Sequence, residues 1–337
     1  MRRRSGRAGR DGSDDAAAQP ARRRLDARRR RGAARGRTDP AGSPGRGRPR
    51  HREKGARRLV RELGRQLRRA LPETRRQVPR RPEAAVGLTI ALPARAKLNL
   101  DLEVIKRRDD GYHELRTTMQ TIELHDLLVI TRSDATELTV TGLELGNNDN
   151  SVLQAQQALE RAVDRKLPAR FHLHKRIPPG SGMGGASSDA ASALRALKAL
   201  YGPDLDPDLD LEPVAAEVGS DVPFFLRGGA AIVEGRGERV TPTPIPIKPI
   251  WFAIAWPGIE LSTQAVYRAW DEVKGEGLRR AAEHVEPRLH EFSKKLGAGW
   301  RITGSGSAFF RQAGSEDEAR TAIKGLDCWT AVSQAVA

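Results

Sequence analysis

The stretch Ile177-Pro-Pro-Gly-Ser-Gly-Met-Gly-Gly-Ala-Ser-Ser-Asp189 constrains this chain more than any other. Gly180, Gly182, Gly184 and Gly185 crowd into it, and Ser187, Ser188 and Asp189 lead into an alanine-rich run, Ala190 to Leu200, that predicts a helix. Upstream, Phe171 and Leu173 alternate with polar residues between Arg170 and Lys175, as in a strand with one buried face. Strand, glycine loop, helix is an order that cradles phosphate. The loop N–H groups point outward, no Cβ blocks approach, and the positive end of the helix dipole meets the anion. The bland alternative is a flexible loop with an N-cap. No Lys-Ser/Thr follows the glycines, so this is not a Walker loop. Nor is there an early βαβ unit with an acidic residue about 20 positions on, as a dinucleotide fold requires.

The charge is distributed unevenly. The 337-residue chain carries a net +16, yet residues 1–84 hold 29 Lys and Arg against 9 Asp and Glu, and the remainder is mildly acidic. Residues 1–84 therefore read as a disordered Arg-rich extension. Within it, Leu59, Val60, Leu63, Leu67 and Leu71 share one face of a basic amphipathic helix. Nucleic acid could bind this protein only through that arm. The other readings of the arm are a targeting peptide and an over-extended reading frame, and the last is preferred. Cys328 is the single cysteine, so neither a disulfide framework nor a cysteine metal site is expected. No apolar run reaches the roughly 18 residues of a membrane span, and a cytoplasmic location fits.

The rest of the chain reads as strands and helices in alternation. Leu98, Leu100, Leu102 and Val104 alternate with Asn99, Asp101 and Glu103 in a strand with one wet face, and Lys97 stands at its start. Asp109-Asp-Gly-Tyr-His113 forms a turn. Met119 to Ile130 is expected as a strand pair turned at His125-Asp126. Asn150 caps a helix from Val152 to Val163. Asp189, next to Ser187 and Ser188, suits helix capping. Asp221, in Gly219-Ser-Asp-Val-Pro223, is either a cap or a functional carboxylate. Gly228 to Gly237 reads as a hairpin, Trp251 to Trp256 as a buried strand, and the four prolines between Thr241 and Pro249 as a hinge.

Ala94-Arg-Ala-Lys-Leu-Asn-Leu100, Arg107-Arg-Asp-Asp-Gly-Tyr-His-Glu-Leu115, the glycine loop and Gly304-Ser-Gly306 together resemble the GHMP small-molecule kinases. The Gly-Tyr-His element is similar to the branch whose acceptor is 4-diphosphocytidyl-2-C-methyl-D-erythritol. The resemblance implies an α+β fold of two domains. Residues 85–245 would form the N-terminal, ribosomal-S5-domain-2-like domain, and residues 246–337 a shortened ferredoxin-like C-terminal domain. It implies ATP and Mg²⁺ as cofactors and phosphorylation of the 2-hydroxyl of the cytidyl substrate. Lys97 and Asp221 would be catalytic. Asn150, Lys175, Pro179, Gly180, Ser181, Gly182, Met183, Gly184, Gly185, Ala186, Ser187 and Ser188 would bind ATP. Asn99, Tyr112, His113, Thr263 and Tyr267 would bind the substrate, the two tyrosines sandwiching cytosine and His113 reading its edge. A monomer or weak homodimer is expected, with no membrane partner. The alternatives are a GHMP kinase for another small alcohol and a scaffold carrying an RNA-binding arm. Two departures from the family pattern stand out: a short Glu272–Ala298 segment, and a tail, Trp329 to Ala337, that lacks the usual closing strand motif.

If the reading frame is over-extended, the intact mass of the native protein begins near Val86; a mass that includes Arg2 to Arg81 removes that reading.

Overall fold

The computed structural model describes residues 88–143, 150–244, 249–273 and 277–337. The arm, with its expected disorder and amphipathic helix, lies outside them, as do residues 245–248 of the proline run.

The first two strands run far beyond their sequence signals. β1 spans Thr89–Arg107 and β2 spans His113–Arg132, paired antiparallel along nearly their whole length. The expected turn at His125-Asp126 is absent. His125 pairs with Arg95 and Asp126 with Ala94, and the strand runs on through them, with a register shift between Arg95 and Lys97. The polar pair resembled a turn because Asp126 is a buried acid serving a distant partner, described below. β1 tolerates Pro93 because it forms a sheet edge, where the missing N–H costs no ladder bond.

The opposite edge of β2 is shared. β5 (Ala230–Gly235) pairs with Leu115–Gln120, and β4 (Ala169–Lys175) with Leu127–Arg132. β3 (Glu137–Gly142) extends the sheet beyond β4, and β6 (Arg239–Thr243) beyond β5, completing six strands. The β4 side chains alternate buried and exposed, as its sequence requires. Two helices, α1 (Ser151–Ala162) and α2 (Gly185–Tyr201), supply Leu159, Leu194 and Leu197 to the core that they share with Phe171, Leu173 and Phe224. Two short helices follow α2: α3 (Glu212–Val218) and α4 (Val222–Arg227).

A second, four-stranded sheet has the order β10-β7-β9-β8, from Trp329–Gln334, Trp251–Trp256, Phe309–Ala313 and Arg301–Ile302. Its helices are α5 (Thr263–Glu272), α6 (Leu278–Val285), α7 (Arg288–Leu296) and α8 (Glu316–Ile323). Leu289, Trp300 and Phe309 lie at the centre of their packing. A third apolar cluster unites the two sheets: Leu98 and Ile122 from the first, Phe252, Ile254 and Phe310 from the second, and Ile177 and Met183 from the glycine loop.

The tail does form a closing strand, contrary to the expectation from its motif. β10 pairs with β7 in full register. The residues beyond it fill the gap on β2 between β5 and β4, where Ala335 bridges Ile122 and the Val336 N–H donates to Thr121 O at 3.0 Å. Backbone pairing and apolar packing suffice here without a family-like motif. Thr121 Oγ1 closes the junction by accepting from the Gly229 N–H (2.9 Å) and donating to Val336 O (3.1 Å).

Thr121→Val leaves the buried Gly229 N–H without that acceptor. It is expected to lower unfolding free energy by about 1–3 kcal/mol in denaturant titration.

Candidate active site

The glycine loop turns through positive φ at Gly180, Gly182 and Gly184. At Gly182 no other residue fits, because a Cβ would stand 2.3 Å from Thr303 O and 2.8 Å from Gly306 O. Gly184 (φ 73°) is the N-cap of α2 without a side-chain cap, so the first turn of that helix presents free N–H groups toward a cavity of about 1480 Å³. Residues from Pro179 to Ser187 line the cavity, except Met183. Met183 packs into the core between the sheets and could offer a ligand only its backbone, and Ser188 is buried off the cavity wall, so its hydroxyl is not placed at the ligand as expected.

Lys97 and Asp221 meet on this cavity wall. Nζ of Lys97 lies 3.8 Å from Asp221 Oδ2 and 2.5 Å from Asn99 Oδ1, and the Lys97 N–H donates to Met183 O of the loop at 2.9 Å. Burial pulls the Lys97 ammonium below the usual lysine pKa, and the Asp221 carboxylate restores part of it. Asp221 stands at the N-cap position of α4 but makes no side-chain cap bond, and remains 29 % exposed. The capping alternative for this residue therefore fails. Asn99 lines the cavity and also braces Lys97. Its Oδ1 receives Lys97 and its Nδ2 donates to Thr117 Oγ1 at 2.9 Å, which makes it a support for Lys97.

Lys175 is 3 % exposed and engages Asp126 together with Asp189, the latter at 2.5 Å. Asp126 also accepts the N–H groups of Arg176 and, at 2.8 Å, Ile177. This buried cluster ties β2 to the strand entering the glycine loop. It corrects the capping expectation for Asp189. Asp189 does not cap the helix, since it lies within its second turn and pairs with Lys175. Lys175 has its charge taken up by two carboxylates, so a nucleotide contact would have to compete with both. Burial pushes Asp189 up to about 7, with Lys175 opposing and Asp126 adding to the rise, and its Oδ1 has no partner. Nothing local in the sequence marks Asp126, whose partners lie about fifty residues away.

At the other end of the cavity, Asn150 accepts from the Val152 N–H (2.9 Å) as the cap of α1 and also lines the wall. Tyr267 of α5 stacks on His113, with centroids 5.1 Å apart and planes 29° from parallel. Burial, then the nearby Asp221 charge, pushes its phenol pKa up. Tyr112 is half exposed beneath Arg236, whose guanidinium carbon lies 5.1 Å from the ring centre. Both tyrosines face the cavity, but among the described residues no ring contact joins them. Thr263 pairs with Ser305 (3.1 Å), on the Gly304–Gly306 turn that abuts the loop at Gly182. Sequence reasoning missed Asp271, whose Oδ1 lies 2.9 Å from His113 Nε2; a periodic acid on an amphipathic helix carries no local signal.

A glycine loop at a helix N-terminus, with a lysine and an aspartate converging beside it between a mixed and an antiparallel sheet, is the arrangement of the GHMP kinase class. The family model "GHMP kinases N terminal domain" matches residues 150–229. The chain is 35 % identical over 270 residues to the 4-diphosphocytidyl-2-C-methyl-D-erythritol kinase of Thermus thermophilus, covering 70 % of this chain and 92 % of that one. It is 41 % identical over 184 residues to the Caldicellulosiruptor saccharolyticus enzyme of the same name, covering 53 % of this chain and 62 % of the relative. A crystal structure of 4-(cytidine 5'-diphospho)-2C-methyl-D-erythritol kinase superposes with a TM-score of 0.62 at 34 % identity, covering 74 % of this chain and all of that one. The chain belongs to the 4-diphosphocytidyl-2-C-methyl-D-erythritol kinase family.

The proton on Asp189 gives a pH signature. Below its ordinary pKa of 3.8 the native and unfolded chains both hold it; between there and about 7 only the native chain does. The stability due to this group therefore falls as pH rises across that window. Asp189→Asn, a neutral isostere, is expected to remain folded and to lack this fall when unfolding free energies are compared from pH 4 to 7.

Proposed function

We propose that this chain transfers the γ-phosphate of ATP to the 2-hydroxyl of 4-diphosphocytidyl-2-C-methyl-D-erythritol, as a cytoplasmic kinase of isoprenoid precursor synthesis. The observation that carries the reading is the Lys97–Asp221 pair beside the glycine loop. Phosphoryl transfer needs positioning, charge stabilisation and a route for the hydroxyl proton. Asp221 is free of capping duty and exposed to the cavity, so it can accept that proton. Lys97, pinned by Asn99 and the loop, stabilises the developing alkoxide. The loop amides and the α2 N-terminus hold the β- and γ-phosphates where charge develops.

Mg²⁺ would arrive with the nucleotide. Among the described residues no group of three His, Cys, Asp or Glu could hold a metal alone. That suits an ion bound chiefly by phosphate oxygens and water, with the Ser187 hydroxyl on the cavity wall as a protein ligand. It would neutralise charge on the transferred phosphoryl group. Tyr267 and Tyr112 offer faces for the cytosine ring, and His113 offers its edge.

An ATP-dependent panel of the cytidyl substrate, homoserine and mevalonate tests the assignment, with turnover expected on the cytidyl substrate alone. Asp221→Ala is expected to lose about 10²–10⁴-fold in kcat while retaining ATP affinity by calorimetry. Near-normal turnover in that variant removes Asp221 as the base.

A further inference from the structure

We propose that Asp271 is a positioning residue that fixes the tautomer of His113, and thereby makes the cleft prefer a cytosine to a uracil base. The inference deepens the cytidyl-substrate reading and rests on it. Three groups on one helix hold the His113 ring. Tyr267 stacks on its face; Trp270 meets it edge-on, with centroids 5.4 Å apart and planes at 83°; the Asp271 carboxylate takes Nε2 at 2.9 Å. Tyr267 and Asp271 are four residues apart on α5, so they project on one side of it. Arg107 Nη1 lies 3.6 Å from the other Asp271 oxygen.

An ionised carboxylate only accepts hydrogen bonds. Nε2 therefore carries the hydrogen, and in the neutral ring Nδ1 is left as a lone-pair acceptor. Nδ1 has no hydrogen-bond partner among the described residues, nor is it one of their buried unpartnered atoms, and the ring lines the cavity. A fixed lone pair there accepts from the 4-amino group of cytosine and repels the 4-carbonyl of uracil. If the ring could exchange tautomers, an Nδ1–H would serve uracil equally well. The energy of Asp271 is thus expressed as discrimination between bases, through a residue that need not touch the base itself.

The test compares full-length wild type, Asp271→Asn and Asp271→Glu with the diphosphocytidyl substrate and its diphosphouridyl analogue. An asparagine can accept or donate at Nε2, so it releases the tautomer. Asp271→Asn is expected to raise KM for the cytidyl substrate by about 10–100-fold, to leave KM for ATP unchanged, and to shrink the cytidyl-to-uridyl ratio of kcat/KM at least ~10-fold. Asp271→Glu is expected to restore part of the ratio. ¹⁵N NMR of the ligand-free enzyme, with the signal assigned through His113→Gln, is expected to show Nε2–H in wild type and a tautomer mixture in Asp271→Asn. An unchanged base ratio in Asp271→Asn, or Nδ1–H in wild type, overturns the proposal. Wild-type enzyme inert toward the cytidyl substrate, with the Nε2–H tautomer intact, overturns the substrate reading and, with it, the assignment of the base.

Discussion

The site depends on how closely two backbone segments approach. The glycine loop is pressed against the turn from Thr303 to Ala308, with Ser307 and Ala308 donating to Gly180 O and Ser181 O at 3.3 and 2.9 Å. On its other side the loop receives the Lys97 N–H from β1. A side chain at Gly182 would separate the first contact, and one at Gly184 would strike the Phe225 ring at 2.7 Å. The glycines thus do more than expose amides to phosphate. They let the second sheet close on the first, so that α5 reaches the cavity with Tyr267 and Asp271 while β1 brings Lys97 to the loop.

The sequence made this site legible wherever a function is encoded locally. The loop needs contiguous glycines, the β4 pattern alternates, and Lys97 and Asp221 sit within short motifs, so each could be identified before any coordinates. What it hid is pairing at a distance. Asp126 looked like a turn residue because its three partners, Lys175, Arg176 and Ile177, lie about fifty residues away, at the end of β4 and the entry to the loop. Asp189 looked like a cap because serines precede it, whereas the lysine that claims it is fourteen residues upstream. The closing strand was missed because β10 is specified by its register on β7 and by the gap on β2, neither of which leaves a motif. The resemblance implied a substrate role for Asn99, and its bond to Lys97 across two residues of β1 adds a support for that lysine.

The two buried lysines show why residue type alone does not assign a role. Lys97 and Lys175 are nearly inaccessible and both flank the glycine loop. Burial alone disfavours either charge. For Lys175, two carboxylates in contact more than offset that cost and hold its pKa above the usual lysine value. It is a fixed cation, and moving it would strand two buried acids. For Lys97, the single carboxylate stands off at 3.8 Å and the pKa stays below the usual value, so its charge is only partly compensated by the protein. An ammonium left in that condition at the mouth of a phosphate cradle gains most when negative charge develops beside it. Under the proposed function, that difference in compensation separates a lysine that holds the loop together from one placed to act on what the loop binds.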